Sequence, residues 1–230
     1  MNILFEKSIA ALKQDTFDQL QKKSVILFGV GGVGSWCAEA LVRTGIETIT
    51  LVDCDTVSHS NCNRQVCATT RTVGAYKCDV LKKRFQEINP EVQISVRNRA
   101  YTFETAAEFP LSSYDYIVDA IDTVPCKLAL IENAVAAPGK LYSSMGAALR
   151  SDPSRIQVST MEKTQTCSLA RIIRKQLRAK NLPLDFPVVF SDEPPQKTPA
   201  GIKGSLVHIT AVFGFLLAGE IIQDIQKGAL

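Results

Sequence analysis

The sequence contains no C-x-x-C pair, and its seven cysteines, Cys37, Cys54, Cys62, Cys67, Cys78, Cys126 and Cys167, show no framework spacing. A tetrahedral zinc site needs clustered soft ligands, so zinc is not expected. An odd cysteine count without that framework also argues against a disulfide-stapled secreted domain and for a reducing cytosol. Only two histidines are present, and neither has a visible partner for acid–base or nucleophilic work. The start, MNILFEKSIAALKQ, is too charged and too short in apolar length for a signal peptide. The longest apolar run, LVHITAVFGFLLAGEII, falls short of a bilayer span and carries His208 and Glu220, so it reads as a buried core or interface helix, with His208 inside the core. A soluble, cytoplasmic chain without a membrane partner is expected. The formal charge of +3 is too small to demand or exclude a polyanionic partner. No repeat or low-complexity tract is present.

What is there is a sizeable core: 230 residues, 46% of them hydrophobic, enough for one α/β domain. An amphipathic pattern over about 7–21 predicts a helix, followed by a strand in SVILFGV. A glycine loop then leads into a helix over about 32–44, which Gly45 stops. Further strands are expected in TITLVD, EVQISVRN, YDYIVDAID, KLYSSMG and SRIQVST. Helical patterns lie over about 70–88, 103–109 and 123–137, in SLARIIRKQLRAK and at the end of the chain. The stretch DEPPQKTPAGIKG is expected to be a loop that can move. Strand and helix alternate over the first 145 residues, which predicts a Rossmann-like, doubly wound, mainly parallel sheet with helices on both faces and a C-terminal extension.

In VILFGVGGVGSW, Gly29, Gly31 and Gly34 fit G-x-G-x-x-G, with Gly32 between them. That spacing says only that a phosphate approaches the backbone at a helix start; NAD and ATP both qualify. Asp53, ending the second strand, suits the ribose of either. Discrimination comes from other strand ends. SNCNRQ supplies Asn61 and Arg64, VGAYK supplies Lys77, and DAIDT supplies Asp119 and Asp122. A triphosphate needs cations on its outer phosphates and a carboxylate for Mg²⁺, whereas a pyrophosphate needs neither, so the set favours ATP. Taken singly, Arg64 and Lys77 also suit a solvated surface and Asp122 a helix cap; Asp55 either orients the loop after Asp53 or is solvated.

The motifs GVGGVGSW, LVDCDTVSHSNCNRQ, TVGAYKCDV, INPEV and YIVDAIDT together resemble the ubiquitin-activating-type adenylating fold of the ThiF, MoeB and HesA proteins over about residues 7–150. ALVRTGI, SSMGA, DPSRIQV and TQTCSLARIIRKQLR are similar to one branch, the tRNA threonylcarbamoyladenosine dehydratases. The resemblance implies a single adenylating domain, with residues 1–150 as nucleotide-binding core and 151–230 as substrate-side extension and closing helix. It implies that Gly29, Gly31, Gly32 and Gly34 face the ATP phosphates and Asp53 the ribose, with Asp55, Gln65 and Thr123 completing the nucleotide set. Asn61 and Arg64 would reach the phosphates, Arg64 often from across a dimer. Lys77 would neutralise the triphosphate, and Asp122 would hold Mg²⁺; Arg64, Lys77 and Asp122 form the catalytic set. The arginine that family members carry in the N-terminal helix has no match near EKSIAALKQ.

The implied chemistry is activation of a carboxylate. An oxygen of the threonine carboxylate, on a modified adenosine beside the tRNA anticodon, attacks the α-phosphate and pyrophosphate leaves. The neighbouring carbamoyl group then displaces AMP and closes a ring. The alternative is an adenylyltransferase for the C-terminus of a sulfur-carrier or ubiquitin-like protein, whose branches carry the C-x-x-C pairs missing here. A homodimer, a sulfur-transfer partner and a monovalent cation also follow from the resemblance. For tRNA, Arg171, Arg174, Lys175 and Arg178 fall on one side of a helix whose other face holds Leu169, Ile172, Ile173 and Leu177; the stripe either tracks phosphates, extended by Arg150, Arg155 and Lys203, or is a solvated face. Cys167, before that helix, is either a thioester nucleophile or a packed terminal residue. His59 lies in a polar loop, where it is either a substrate contact or simply exposed.

Overall fold

Seven short strands, most of them rich in valine and isoleucine, share one sheet: β1 (Ser24–Phe28), β2 (Thr48–Val52), β3 (Gln93–Arg97), β4 (Tyr116–Asp119), β5 (Lys140–Ser144), β6 (Ile156–Thr160) and β7 (Pro187–Ser191). The computed structural model describes residues 3–198 and 203–229, so part of the proline- and glycine-rich loop, residues 199–202, lies outside the described residues. The strand order is β3-β2-β1-β4-β5-β7-β6, parallel except for β6, which runs antiparallel to β7.

Alternation along β1 shows why the sheet is covered twice. Val25 and Leu27 join one apolar layer, Ile26 and Phe28 the other. The first layer is roofed by α3 (Gly34–Thr44), α4 (Lys77–Ile88) and α7 (Val207–Gly228), through Leu41, Phe85 and Phe213. The second is roofed by α5 (Val124–Ala134) and α6 (Ser168–Ala179), through Leu130, Ile131, Ile173 and Leu177. Strand order reverses between β1 and β4, and crevices open outside the carboxyl ends at such a point. The register is even there: Phe28 pairs with both Val52 and Asp119, so three strands end level and their following loops crowd together.

Several boundaries differ from the sequence reading. The N-terminal helix is two, α1 (Glu6–Leu12) and α2 (Gln14–Gln21), because Lys13 adopts φ 70°, ψ 156°. Helix α4 starts at 77, not 70, since Gly74 turns at φ 90° and Thr56 bridges to Tyr76. Residues 103–109 hold only a 3-10 turn, Ala106–Glu108. Strand β7 was not anticipated: PVVFS is an apolar run with no alternation to reveal it, and it is buried from Val188 to Ser191. Helix α7 is long and apolar enough by length and composition to cross a membrane, yet half of its apolar window is buried inside the fold.

Candidate active site

The glycine loop is squeezed into the switch point. Gly29, at φ 83°, donates its N–H to the Val52 carbonyl (2.8 Å), and a Cβ there would lie 2.7 Å from the Ala120 oxygen and 3.2 Å from the Ile121 nitrogen. Gly34, opening α3, has no room for a side chain at all, because a Cβ would overlap the Gly29 carbonyl. The loop therefore runs flat against the start of α3, whose first amides form an anion-binding end. Asp53 closes it: Oδ2 accepts from the Val30 N–H (2.8 Å) and Oδ1 from the Asp55 N–H (2.8 Å), while burial pushes its carboxyl above the usual range.

Around this loop stand the polar residues singled out above. Lys77 is buried at the first position of α4, with Nζ 2.7 Å from Asp55 Oδ2. Arg64 donates through Nη1 to the Ser60 carbonyl and to Asn63 Oδ1, both at 2.8 Å. Its Cδ lies 3.4 Å from where a Gly32 side chain would begin, so its stem covers the loop. The Trp36 indole donates to the Arg64 carbonyl (3.0 Å) and fixes that loop on α3, a contact the sequence did not suggest. The Gln65 amide nitrogen sits 3.7 Å from the Gly31 Cβ position. Asn61 is buried and spends its oxygen on the Ser58 N–H (3.1 Å), making it a loop-shaping residue. Asp122 is exposed just past β4, and among the described residues only the Thr123 hydroxyl approaches it (3.4 Å). Thr123 itself is the N-cap of α5. Asp53, Cys54 and Asp55 also gather three ligand atoms within 4.8 Å, but their carboxylates are already committed. Asp122 is the carboxylate left open.

Asp119 differs from its neighbour. It is fully buried, 2.8 Å from the equally buried Lys127, and also accepts from the Ser143 hydroxyl (2.6 Å) and the Ile121 N–H (3.1 Å). Lys127 Nζ donates in turn to the Ile121 carbonyl (2.9 Å). This network holds the Ala120–Asp122 turn in place and leaves Asp119 no free oxygen for a ligand. A single lysine inside the apolar stretch VPCKLALI was its only trace in sequence.

The basic helix α6 is less uniform than its spacing implied. Arg171 and Lys175 are exposed, but Arg174 donates to the Thr164 carbonyl (2.7 Å) and hydroxyl, and Arg178 lies 3.7 Å from Glu162. Ile172, expected on the packed face, is exposed. Arg155 pairs with Asp192 (2.7 Å), and Arg150 is buried, so neither simply extends the stripe. Cys167 is buried at the N-cap of α6. His208 is exposed at the start of α7, not in the core, with Nε2 3.2 Å from the Ser151 carbonyl oxygen. The helix places its first turn outside the fold, and the apolar run gave no sign of that. His59 is exposed in a 3-10 turn, Thr-Val-Ser preceding it.

The profile of the ThiF family matches residues 5–228. The chain belongs to the ThiF family. Within that family it is 34% identical to the tRNA threonylcarbamoyladenosine dehydratase of Bacillus subtilis, over 97% of this chain and 94% of that protein. The structure of the Escherichia coli tRNA N6-threonylcarbamoyladenosine dehydratase in complex with ATP superposes with a TM-score of 0.92 at 33% identity, covering 98% of this chain and 94% of that one. A relative of another kind, a sulfur carrier protein adenylyltransferase of Thermus thermophilus, is 37% identical but over only 54% of this chain and 45% of its own length.

Proposed function

We propose that this chain is an ATP-dependent tRNA threonylcarbamoyladenosine dehydratase acting through an acyl adenylate. The observation that carries the reading is the near-full-length likeness to dehydratases, one of them bound to ATP, against a half-length likeness to a carrier-protein adenylyltransferase. The site fits the nucleotide independently. The flat glycine loop admits phosphate to the α3 amides, Lys77 and Arg64 flank it, and Asp122 keeps its oxygens open to a divalent cation.

In this reading Asp122 holds Mg²⁺, which would supply positive charge to the triphosphate and to the departing pyrophosphate. Lys77 leaves Asp55 to neutralise the phosphates, and Arg64 swings from the Ser60 carbonyl onto the same charge. Asp53, its oxygens already on the loop amides, both shapes the loop and faces the ribose. No protein nucleophile is needed: the substrate carboxylate attacks the α-phosphate and the substrate's own carbamoyl group expels AMP. Catalysis is then positioning and charge neutralisation. Arg171 and Lys175 supply the phosphate contacts for tRNA on α6, in the cytoplasm. A second copy seats on the outer face of α7, where half-exposed Phe215 meets Trp36 edge-on and Leu206 and Val207 are uncovered.

The test mixes protein, ATP and Mg²⁺ with tRNA that carries or lacks the threonylcarbamoyl group. Pyrophosphate release only with the modified tRNA, with the digested nucleoside lighter by one water, is the expected result. An unchanged nucleoside, with ATP–pyrophosphate exchange supported instead by a carrier-protein C-terminus, overturns the choice of substrate and keeps the adenylation.

A further inference from the structure

Beyond β5 the chain makes a strained bridge. Leu149 adopts φ 62°, a left-handed conformation that side chains disfavour. Its N–H donates to the Gly204 carbonyl (2.9 Å), and its carbonyl accepts from the Gln196 N–H (2.9 Å). Glu193 then locks the next residues, accepting from the Ser151 N–H (2.9 Å), the Ser151 hydroxyl (3.0 Å) and the Asp152 N–H (3.0 Å). The bridge turns Arg150 inward to 4% exposure, and there its Nε and Nη1 are buried with no hydrogen-bond partner among the described residues.

Within electrostatic reach of that guanidinium lie the Cys167 side chain, the Glu193 carboxylate and, opposing, Arg155. Glu193 has spent its oxygens on the backbone and hydroxyl just named, and Arg155 is paired with Asp192. Cys167 is the N-cap of α6 and makes no capping bond, so the helix presents uncapped amides. Gly146 brings the two parts together, since a Cβ on it would lie 3.4 Å from Cys167 Sγ and 3.8 Å from Leu169 Cβ. A guanidinium with two buried, unpaired nitrogens near the positive end of a helix is doubly unfavourable, and one anion relieves both.

We infer that Arg150 and the amino-terminal end of α6 form the seat for the carboxylate of the modified adenosine. The inference rests on the dehydratase reading above. At 4% exposure Arg150 suits a carboxylate on a slender side chain better than a polynucleotide phosphate. Its planar fork matches two carboxylate oxygens. The bridge also stands at the right edge of the sheet. It leaves β5 at its carboxyl end, and the first turn of α7 touches both it and the glycine loop, with His208 against Ser151 and Thr210 3.2 Å from the Gly32 Cβ position. A carboxylate held by Arg150 thus enters from the side opposite Asp53 and Lys77.

The test compares wild type with Arg150→Met and Arg150→Lys in steady-state turnover of threonylcarbamoyladenosine-containing tRNA, with ATP affinity and melting temperature measured alongside. Losing a charge-assisted, bidentate contact is expected to raise KM for the tRNA by roughly 10- to 100-fold in Arg150→Met, with an intermediate rise in Arg150→Lys. ATP affinity should be unchanged, and the melting temperature without substrate should not fall, because an unpaired buried charge has gone. Free N-carbamoylthreonine should raise the melting temperature of wild type and not of Arg150→Met. A KM equal to wild type, or a lowered melting temperature with KM and kcat unchanged, overturns the proposal and makes Arg150 structural. If Arg150→Met does not fold, Arg150→Lys is read in the same way. If wild type fails to dehydrate the tRNA, the dehydratase reading fails, and the N-carbamoylthreonine shift then decides the seat: no shift overturns it as well.

Discussion

Replacing Lys127 with methionine removes the only cation from a network in which Asp119 is wholly shut off from water. Methionine matches the lysine stem in volume, so no cavity complicates the result. Asp119 keeps the Ser143 hydroxyl and the Ile121 amide but loses the ammonium 2.8 Å away, and the Ile121 carbonyl loses its donor as well. Breaking a buried pair from one side costs about 3–5 kcal/mol, a large share of a total stability of about 5–15 kcal/mol. At roughly 2–4 °C per kcal/mol for a chain of this size, the melting temperature should fall by about 6–20 °C. Equilibrium urea unfolding followed by far-ultraviolet circular dichroism measures the loss directly. Adding Asp119→Asn removes the stranded charge and keeps the hydroxyl bond, so the double variant should recover at least half of it. A single variant within about 1 kcal/mol of wild type, or a double variant whose cost is the sum of the singles, would refute the claim that the pair is dry and coupled.

Gly34→Ala should abolish ATP binding in calorimetry and lower the soluble yield, because its methyl group has nowhere to go but into the Gly29 carbonyl. Asp122→Ala should remove Mg²⁺-dependent turnover while leaving the melting temperature within about 2 °C of wild type, as the side chain is exposed and held only by a long bond from the Thr123 hydroxyl among the described residues; retained activity would cancel its metal role. Glu39 is buried between Arg84 (2.6 and 2.8 Å) and Arg43 (2.9 Å); burial alone would raise its pKa, but the two guanidinium groups outweigh it and hold the carboxyl below its ordinary value. That stabilisation is full above the unfolded pKa of about 4.3 and fades as pH falls through the folded one. Glu39→Gln should therefore cost about 1 kcal/mol at pH 7, discounted for its half-exposed partners, and nearly nothing at low pH, in parallel denaturation series. Replacing both Arg171 and Lys175 by alanine should weaken tRNA binding for every sequence and flatten its salt dependence by about two counterions, whereas Arg174→Ala should lower stability instead.

The strand-end set was legible because a parallel sheet leaves little choice: once Phe28, Val52 and Asp119 end their strands level, the loops carrying Gly29, Asp53 and Asp122 must meet. Lys77 was singled out in VGAYK, but the helix expected over about 70–88 opens at Lys77 itself, after the turn at Gly74. What could not be read were the pairings that decide which charges remain available. Asp119 and Asp122 look alike in DAIDT, yet one faces the sheet interior and the other water. Arg174 and Lys175 are adjacent on a basic helix, yet only the first meets the Thr164 carbonyl. The position of Arg150 depends on the backbone turn at Leu149, a residue with no preference for it, and on Glu193 forty residues away in a loop. β7 escaped because a short run buried on both faces has no period to detect.

Helix α7 closes over α3, a helix made long before it. Gly214 is what lets it in: a Cβ there would lie 2.5 Å from the Val33 carbonyl and 2.8 Å from the Cys37 nitrogen. On the ribosome, then, the apolar back of α3 waits uncovered until every element between it and α7 has been made. Thr210 walls the glycine loop from the same late helix, so a chain that stops before it carries the glycine loop, Lys77 and Asp122 and still lacks that wall. Truncated products of this protein should be inert, without the wasteful ATP cleavage that a half-built adenylating enzyme would bring.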